Sequence, residues 1–214
     1  MSWITALLCS LSILGTASAA DSIVFRDSET GFTFSQYNAN YKYNSPDVIS
    51  FRTAVPNLAS APYDIVLQVT AKKDVGWLGV AWGGTMLNNP LTVAWPNGNS
   101  VTVSSRWTKG RSLPTAYSGE TIQALKTGTK TNSTHWQVTL RCTGCTTWTS
   151  SSGSTVNLNP GGSNRLAYAY ATAAPSSPSS NTSSFGVHDN FGYWNQDFAQ
   201  GQNADFQALV SKNS

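Results

Sequence analysis

Charge is what this sequence has least of. Lys, Arg, Asp and Glu make up 11 % of its 214 residues, against about a quarter in a typical soluble domain. The formal net charge is only +3 and the basic residues are scattered. That excludes an electrostatic footprint for nucleic acid or for an anionic membrane. Beyond residue 20 there is no long apolar run, so no later segment is predicted to cross a bilayer. No stretch keeps a helical period over three turns, which excludes a helical fold.

Several chemistries lack their residues. No Gly-rich phosphate loop opens a helix, which removes nucleotide binding. No Gly-x-Ser-x-Gly elbow supports a nucleophilic serine. The ten acidic residues are too scattered to nominate a pair for glycoside hydrolysis. Methionine and histidine are also rare: Met1 and Met86, His135 and His188 are the whole set.

What is present begins with a targeting segment. Ile4 to Leu14 is mostly apolar, and Ala17-Ser18-Ala19 offers small residues to a signal peptidase, although no Lys or Arg precedes the apolar run. This predicts a secretory signal over 1–20, cut after Ala19 or Ala20, and a secreted, soluble domain over 21–214. Cys9 falls in the signal, leaving Cys142 and Cys145 as Cys-Thr-Gly-Cys. In a cytosolic chain that spacing suits redox chemistry or half a metal site. With no second pair and an oxidising compartment, a structural disulfide across a tight turn is favoured. So short a loop pins a turn more than it stabilises a fold. Asn132-Ser-Thr and Asn181-Thr-Ser are glycosylation acceptors.

The remainder reads as short strands. Ile23 to Phe25, Phe32 to Phe34, Val48 to Phe51, Tyr63 to Val69, Trp77 to Trp82, Leu91 to Trp95, Ser100 to Ser105, Trp136 to Leu140 and Leu166 to Ala171 are separated by turn residues. Their spacing of about ten residues predicts an all-β sandwich or barrel. Ile65, Leu67 and Val69 share one face. Thr146 to Gly162 and Pro175 to Ser184 are predicted loops, and Asp205 to Val210 can form one short helix.

The histidines separate by pattern. In His135-Trp-Gln-Val-Thr-Leu140, Trp136, Val138 and Leu140 face the core, so His135 shares a solvated face with Gln137 and Thr139. His188 lies among glycines and aromatics in Phe185-Gly-Val-His-Asp-Asn-Phe-Gly-Tyr-Trp194. Met86 follows a Gly-Gly turn, where a backbone can approach a flat ligand closely. It can equally fill a core gap, and a lone His among aromatics is often structural. Residue patterns alone give a β-sandwich with a Met and a His of note.

A longer comparison adds to this. Gly83-Gly84-Thr85-Met86-Leu87-Asn88-Asn89-Pro90-Leu91-Thr92-Val93-Ala94-Trp95 resembles the haem segment of the cytochrome domain of cellobiose dehydrogenase. So do Ser104-Ser105-Arg106-Trp107, Pro114 to Tyr117, Arg141 to Trp148 and His188-Asp-Asn-Phe-Gly, in the same order along the chain. The resemblance implies a DOMON-like β-sandwich with a non-covalent haem b pocket at one side. It implies Met86 and His188 as the axial ligands of the iron, and Cys142–Cys145 as a disulfide. The lack of Cys-x-x-Cys-His agrees with non-covalent haem. Arg111 stands where the family has a tyrosine near a haem propionate.

The same resemblance implies single-electron transfer by a monomer with transient partners. The donor is a flavin dehydrogenase or a small reductant, and the acceptor is lytic polysaccharide monooxygenase copper or ferric iron. No flavin fingerprint occurs in this chain, so it is not expected to oxidise cellobiose by itself. The competing expectation is a haem-free β-sandwich that binds carbohydrate on its aromatics.

Overall fold

The computed structural model describes residues 21–214 apart from Tyr43 and Ala59; the predicted signal lies outside the described residues. The strands are β1 Ile23–Arg26, β2 Thr33–Asn40, β3 Val48–Pro56, β4 Ile65–Lys72, β5 Trp77–Ala81 and β6 Leu91–Asn97. They continue as β7 Ser100–Trp107, β8 Thr115–Ala116, β9 Thr121–Ala124, β10 Lys130–Thr131, β11 His135–Thr143 and β12 Thr147–Thr149. The last are β13 Thr155–Asn157, β14 Ser163–Ala171, β15 Asn190–Asp197 and β16 Gln202–Asn203, before α1, Phe206–Asn213, the one α-helix among the described residues.

Two sheets form an open sandwich. The larger has the order β1-β2-β3-β4-β11-β10, with β9 added beside β11 and β16 beside β3. The smaller has the order β15-β14-β5-β6-β7-β8, and β12 and β13 pair as a separate hairpin. Among the described residues only β16 and β3 pair in parallel. Side chains alternate across each strand, so every strand offers one set to the space between the sheets. From the smaller sheet these are Leu78, Val80, Leu166, Tyr170 and Trp194; from the larger, Phe51, Ile65, Leu67, Val69, Trp136, Val138 and Leu140. All are buried. A Leu or Phe removed from water there contributes about 1.5–3 kcal/mol.

The larger sheet is covered on its other face as well. Phe32, Phe34, Ala54, Val66 and Leu125 pack with Phe206, Leu209 and Val210 of α1. The solvated face expected for His135, Gln137 and Thr139 is corrected at Thr139, while His135 and Gln137 stay half-exposed. Thr139 is fully buried, accepting from Gln68 Nε2 at 3.0 Å and donating to the Gly128 carbonyl at 3.0 Å. Asn213 at the end of α1 anchors this cover by donating to the Thr30 carbonyl at 2.9 Å.

The predicted loop Thr146 to Gly162 contains the β12–β13 hairpin, with Trp148 opposite Val156. β15 follows the His188 segment without a clear apolar alternation. Its inward positions are Trp194 and Gln196, and a buried glutamine hides the period. Gln196 is satisfied there, donating to the Ser35 carbonyl at 2.6 Å and to Thr53 Oγ1 at 3.1 Å.

Candidate functional site

The outward face of the smaller sheet has a floor of small residues. Alternation that sends Leu78, Val80, Leu166, Tyr168 and Tyr170 inward sends Gly79, Ala81, Ala167, Ala169 and Ala171 outward. The register stacks them: Ala169 is opposite Gly79, and Ala167 is opposite Ala81. Gly79 then meets Val93, and Ala81 meets Leu91. On the outer strand Ala169 faces Phe191 and Ala167 faces Tyr193. Gly79 and Ala169 stay half-exposed at the centre.

Two loops leave this floor from opposite ends. The β5–β6 connection carries Met86 beyond Ala81. The segment joining β14 to β15 carries His188 just before Asn190. Four steps along β5, at the usual strand rise, separate the two ends by about 14 Å. Met86 and His188 are each half-buried. Beside His188 the rim is apolar and open: Val187, Phe191 and Tyr193 are 84 %, 54 % and 50 % exposed. The His188 ring lies edge-on to Phe191, centroids 5.2 Å apart, and Phe191 lies edge-on to Tyr193 at 5.9 Å.

The Met86 loop is held from within. Asn89 is buried. Its Nδ2 donates to the Thr85 carbonyl at 2.8 Å and to the Leu87 carbonyl at 2.9 Å, and its Oδ1 accepts from the Gly83 N–H at 2.9 Å. Gly84 and Asn88 have left-handed φ of 70° and 58° and turn the chain on either side. The Asn88 N–H donates to the Thr108 carbonyl at 2.9 Å. This ties the loop to the β7–β8 connection, on which Arg111 is exposed.

The segment before His188 is held by Arg106. This arginine is 3 % exposed, and burial lowers its pKa from the ordinary value. No carboxylate lies within ion-pair distance of it among the described residues. It donates to carbonyls instead: Nη1 to Pro114 at 2.9 Å, and Nη2 to Asn181 at 3.0 Å and Ser183 at 2.7 Å. Its guanidinium carbon also lies 5.3 Å from the centre of the Phe185 ring. Trp95 Nε1 and Thr102 Oγ1 both donate to the Pro178 carbonyl, at 2.8 and 2.7 Å. The loop Pro175 to Ser184 is therefore folded back over β6 and β7. Phe185 then packs on Trp77 with centroids 4.7 Å apart.

Other sequence-selected residues lie elsewhere. His135 opens β11 in the larger sheet, with Nδ1 2.9 Å from Thr134 Oγ1. Cys142 and Cys145 are joined in a buried disulfide. Beside it sits Glu120, which the sequence did not single out. Its Oε2 is 2.9 Å from Cys145 Sγ, and its Oε1 has no hydrogen-bond partner. Burial pushes its pKa up from 4.5 to about 7. Asn132 and Asn181 are exposed. A cavity of about 420 Å³ borders the Met86 loop, lined by Trp82, Gly83, Asn88, Trp148, Leu158 and Arg165 among others. Neither Met86 nor His188 lines it. The face between them is an open floor distinct from that cavity.

These residues fit a flat apolar group with two axial donors. Gly79, Ala81, Ala167 and Ala169 keep the middle of the floor to side chains no larger than a methyl group, with Leu91 and Val93 beside them; the rim offers uncovered aromatics, and a thioether and an imidazole belong to loops at its two ends. Asn89 and Arg106 were legible only as polar letters within the motif, because their burial depends on the loops they fasten.

Comparison with known proteins gives the same picture. The family model described as the cytochrome domain of cellobiose dehydrogenase matches residues 25–208. A pyrroloquinoline quinone-dependent pyranose dehydrogenase of Coprinopsis cinerea is 30 % identical over 190 residues, covering 87 % of this chain and 25 % of that protein. The chain thus spans about a quarter of the length of the curated relatives it matches. The cytochrome b domain of pyranose dehydrogenase from Coprinopsis cinerea superposes with a TM-score of 0.77 at 26 % identity, covering 91 % of this chain and 96 % of that one. The cytochrome domain of Myriococcum thermophilum cellobiose dehydrogenase shares the fold, with a TM-score of 0.80, 24 % identity and coverage of 92 % and 98 %. The expected DOMON-like sandwich is the observed one, and a family of this type binds haem b and transfers electrons. With its small-residue floor and the Met86 and His188 loops at its two ends, this chain belongs to the family of cellobiose dehydrogenase cytochrome domains.

Proposed function

We propose that this chain is a secreted one-electron relay in which Met86 and His188 are the axial ligands of a haem b. The observation that carries the reading is their placement on two loops that leave one small-residue face from opposite ends. A bound haem supplies exchange between ferric and ferrous iron. The protein's part is to fill both axial positions, which leaves no site for dioxygen or substrate on the metal. The Met86 thioether favours the ferrous state and raises the potential above that of a bis-imidazole site. Gly79 and Ala169 let the macrocycle approach the sheet. Arg111, exposed near the Met86 loop, is suited to pair with a propionate in bidentate fashion.

The donor is a sugar-oxidising dehydrogenase or a small reductant. The resemblance to cellobiose dehydrogenase supports a flavin enzyme, and the pyrroloquinoline quinone-dependent relatives support a quinone enzyme equally well. Lytic polysaccharide monooxygenase copper and ferric iron are the acceptors, met in small transient contacts. Glycans on Asn132 and Asn181 and the leader over 1–20 accord with an extracellular site of action.

One spectrum tests this. Purified protein is expected to show a Soret band and, after dithionite, sharp α and β bands of six-coordinate ferrous haem. Met86→Leu or His188→Ala is expected to abolish the low-spin spectrum, whereas His135→Ala leaves it unchanged. A colourless protein that takes up no haemin overturns the proposal and favours a carbohydrate-binding sandwich.

A further inference from the structure

We infer that Asn89 is the positioning residue of the Met86 ligand, acting through the backbone on both sides of it. The inference rests on Met86 being an axial ligand and adds how it is held. Asn89 is the only side chain in the loop whose amide closes bonds to the residues immediately before and after Met86: Thr85 O at 2.8 Å and Leu87 O at 2.9 Å. The same amide nitrogen lies 3.3 Å from Thr85 Oγ1, and the amide oxygen takes the Gly83 N–H at 2.9 Å. That network fixes which end of the amide is which, since two carbonyls require a donor and an N–H requires an acceptor.

The surroundings hold that side chain closely. Asn89 is 2 % exposed, so a lost bond there is not replaced by bulk water. A Cβ on Gly83 would lie 2.8 Å from the Asn89 Cβ, so the loop closes directly onto this residue. On the opposite side, a Cβ on Gly84 would lie 2.9 Å from the Arg165 carbonyl oxygen. Thr85 adds a small ring of its own, donating from Oγ1 to the Leu87 carbonyl at 2.9 Å. The turn that presents Met86 is therefore closed by side chains of its own loop. A thioether is a weak ligand that competes poorly with water unless its sulfur is delivered in place. A residue that fixes the loop should show in ligation, even though it touches neither haem nor sulfur. Residues that orient ligands from behind typically change affinity by about 10–100-fold when replaced.

The substitution Asn89→Asp is the sharpest test. It keeps the acceptor for Gly83 and sets a second acceptor against two carbonyls. Asn89→Leu removes both functions at similar volume. In each haem-loaded variant the ferric protein is expected to lose its sulfur-to-iron charge-transfer band while keeping the imidazole-bound haem. The reduction potential is expected to fall, and haem is expected to dissociate about 10–100-fold more readily, with the far-ultraviolet circular dichroism of the sheet retained. Variants that keep the band and the potential overturn the inference. If neither variant folds, hydrogen exchange in the wild type decides: slow exchange at the Gly83 amide supports the closed loop, and exchange at the solvent rate overturns it. A wild-type protein with haem but no sulfur-to-iron band fails differently, since it removes Met86 as ligand and with it this role for Asn89.

Discussion

Gly79 and Ala169 stand directly opposite one another in the β5–β14 ladder, a residue with no side chain against one with a single methyl. This pair makes the centre of the outward face flat and open. The inward neighbours on the same strands, Leu78, Val80 and Tyr170, are almost fully buried.

Filling that face is expected to block haem without unfolding the protein. Ala169→Leu places a branched side chain on the floor, where the sheet below needs no repacking. Haem uptake, followed by the Soret band, should fall at least tenfold while the thermal midpoint of the haem-free protein stays near that of the wild type. Gly79→Ala is the milder case: its Cβ meets Trp77 and Val93 only at 3.7 Å, an ordinary contact distance. It should fold normally and bind haem more weakly than the wild type. Unchanged haem affinity in Ala169→Leu would place the haem elsewhere.

Arg106 is expected to be worth more to the fold than its surface-like chemistry suggests. Arg106→Leu leaves the carbonyls of Pro114, Asn181 and Ser183 without their charged donor. A bond from a charged group contributes about 1.5–3 kcal/mol, so a loss of about 3 kcal/mol in denaturant unfolding is expected. Proteolysis within Pro175 to Ser184 should speed up in parallel. Arg106→Lys should recover only part of this, because one ammonium cannot reproduce the planar fork.

Glu120 gives the stability a pH dependence. Its folded pKa, about 7, lies above the ordinary 4.5. The native state therefore holds a proton that the unfolded state has released between those values. Stability from this group is fully present below about pH 4.5, declines as pH rises towards 7, and is level above that. A disulfide sulfur carries no proton, so only the carboxylic acid can donate across the 2.9 Å contact with Cys145. Charging the buried group costs at most about 3 kcal/mol. Urea unfolding with the disulfide intact should show this decline, and Glu120→Gln should flatten it. An identical slope in both proteins would refute the assignment.

Much of this was legible in the chain. The alternation Leu166-Ala-Tyr-Ala-Tyr-Ala171 already divides an inward from an outward face, because a strand has a period of two. Glycines, turn residues and short β-branched runs specify a sandwich of antiparallel strands. The scarcity of Met and His leaves few candidates for an axial pair, and the order of the motifs identifies the family. β15 was not legible, since a buried Gln196 and a glycine break its pattern. The solvated face assigned to Thr139 was misread for a related reason: Gln68 of β4 and the turn at Gly128 close over a polar residue there and satisfy its hydroxyl.

The sequence by itself therefore determined the fold class, the family and the candidate ligands, all of which depend on local periodicity and residue type. Only the tertiary structure decided that Met86 and His188 leave one face from opposite ends, that Asn89 and Arg106 fasten their loops, and that Glu120 is buried against the disulfide. For Arg106 and Glu120 this depends on which distant carbonyls and side chains come within reach, which strand pairing sets; Asn89 bonds within its own loop, and only its burial is set by the tertiary structure.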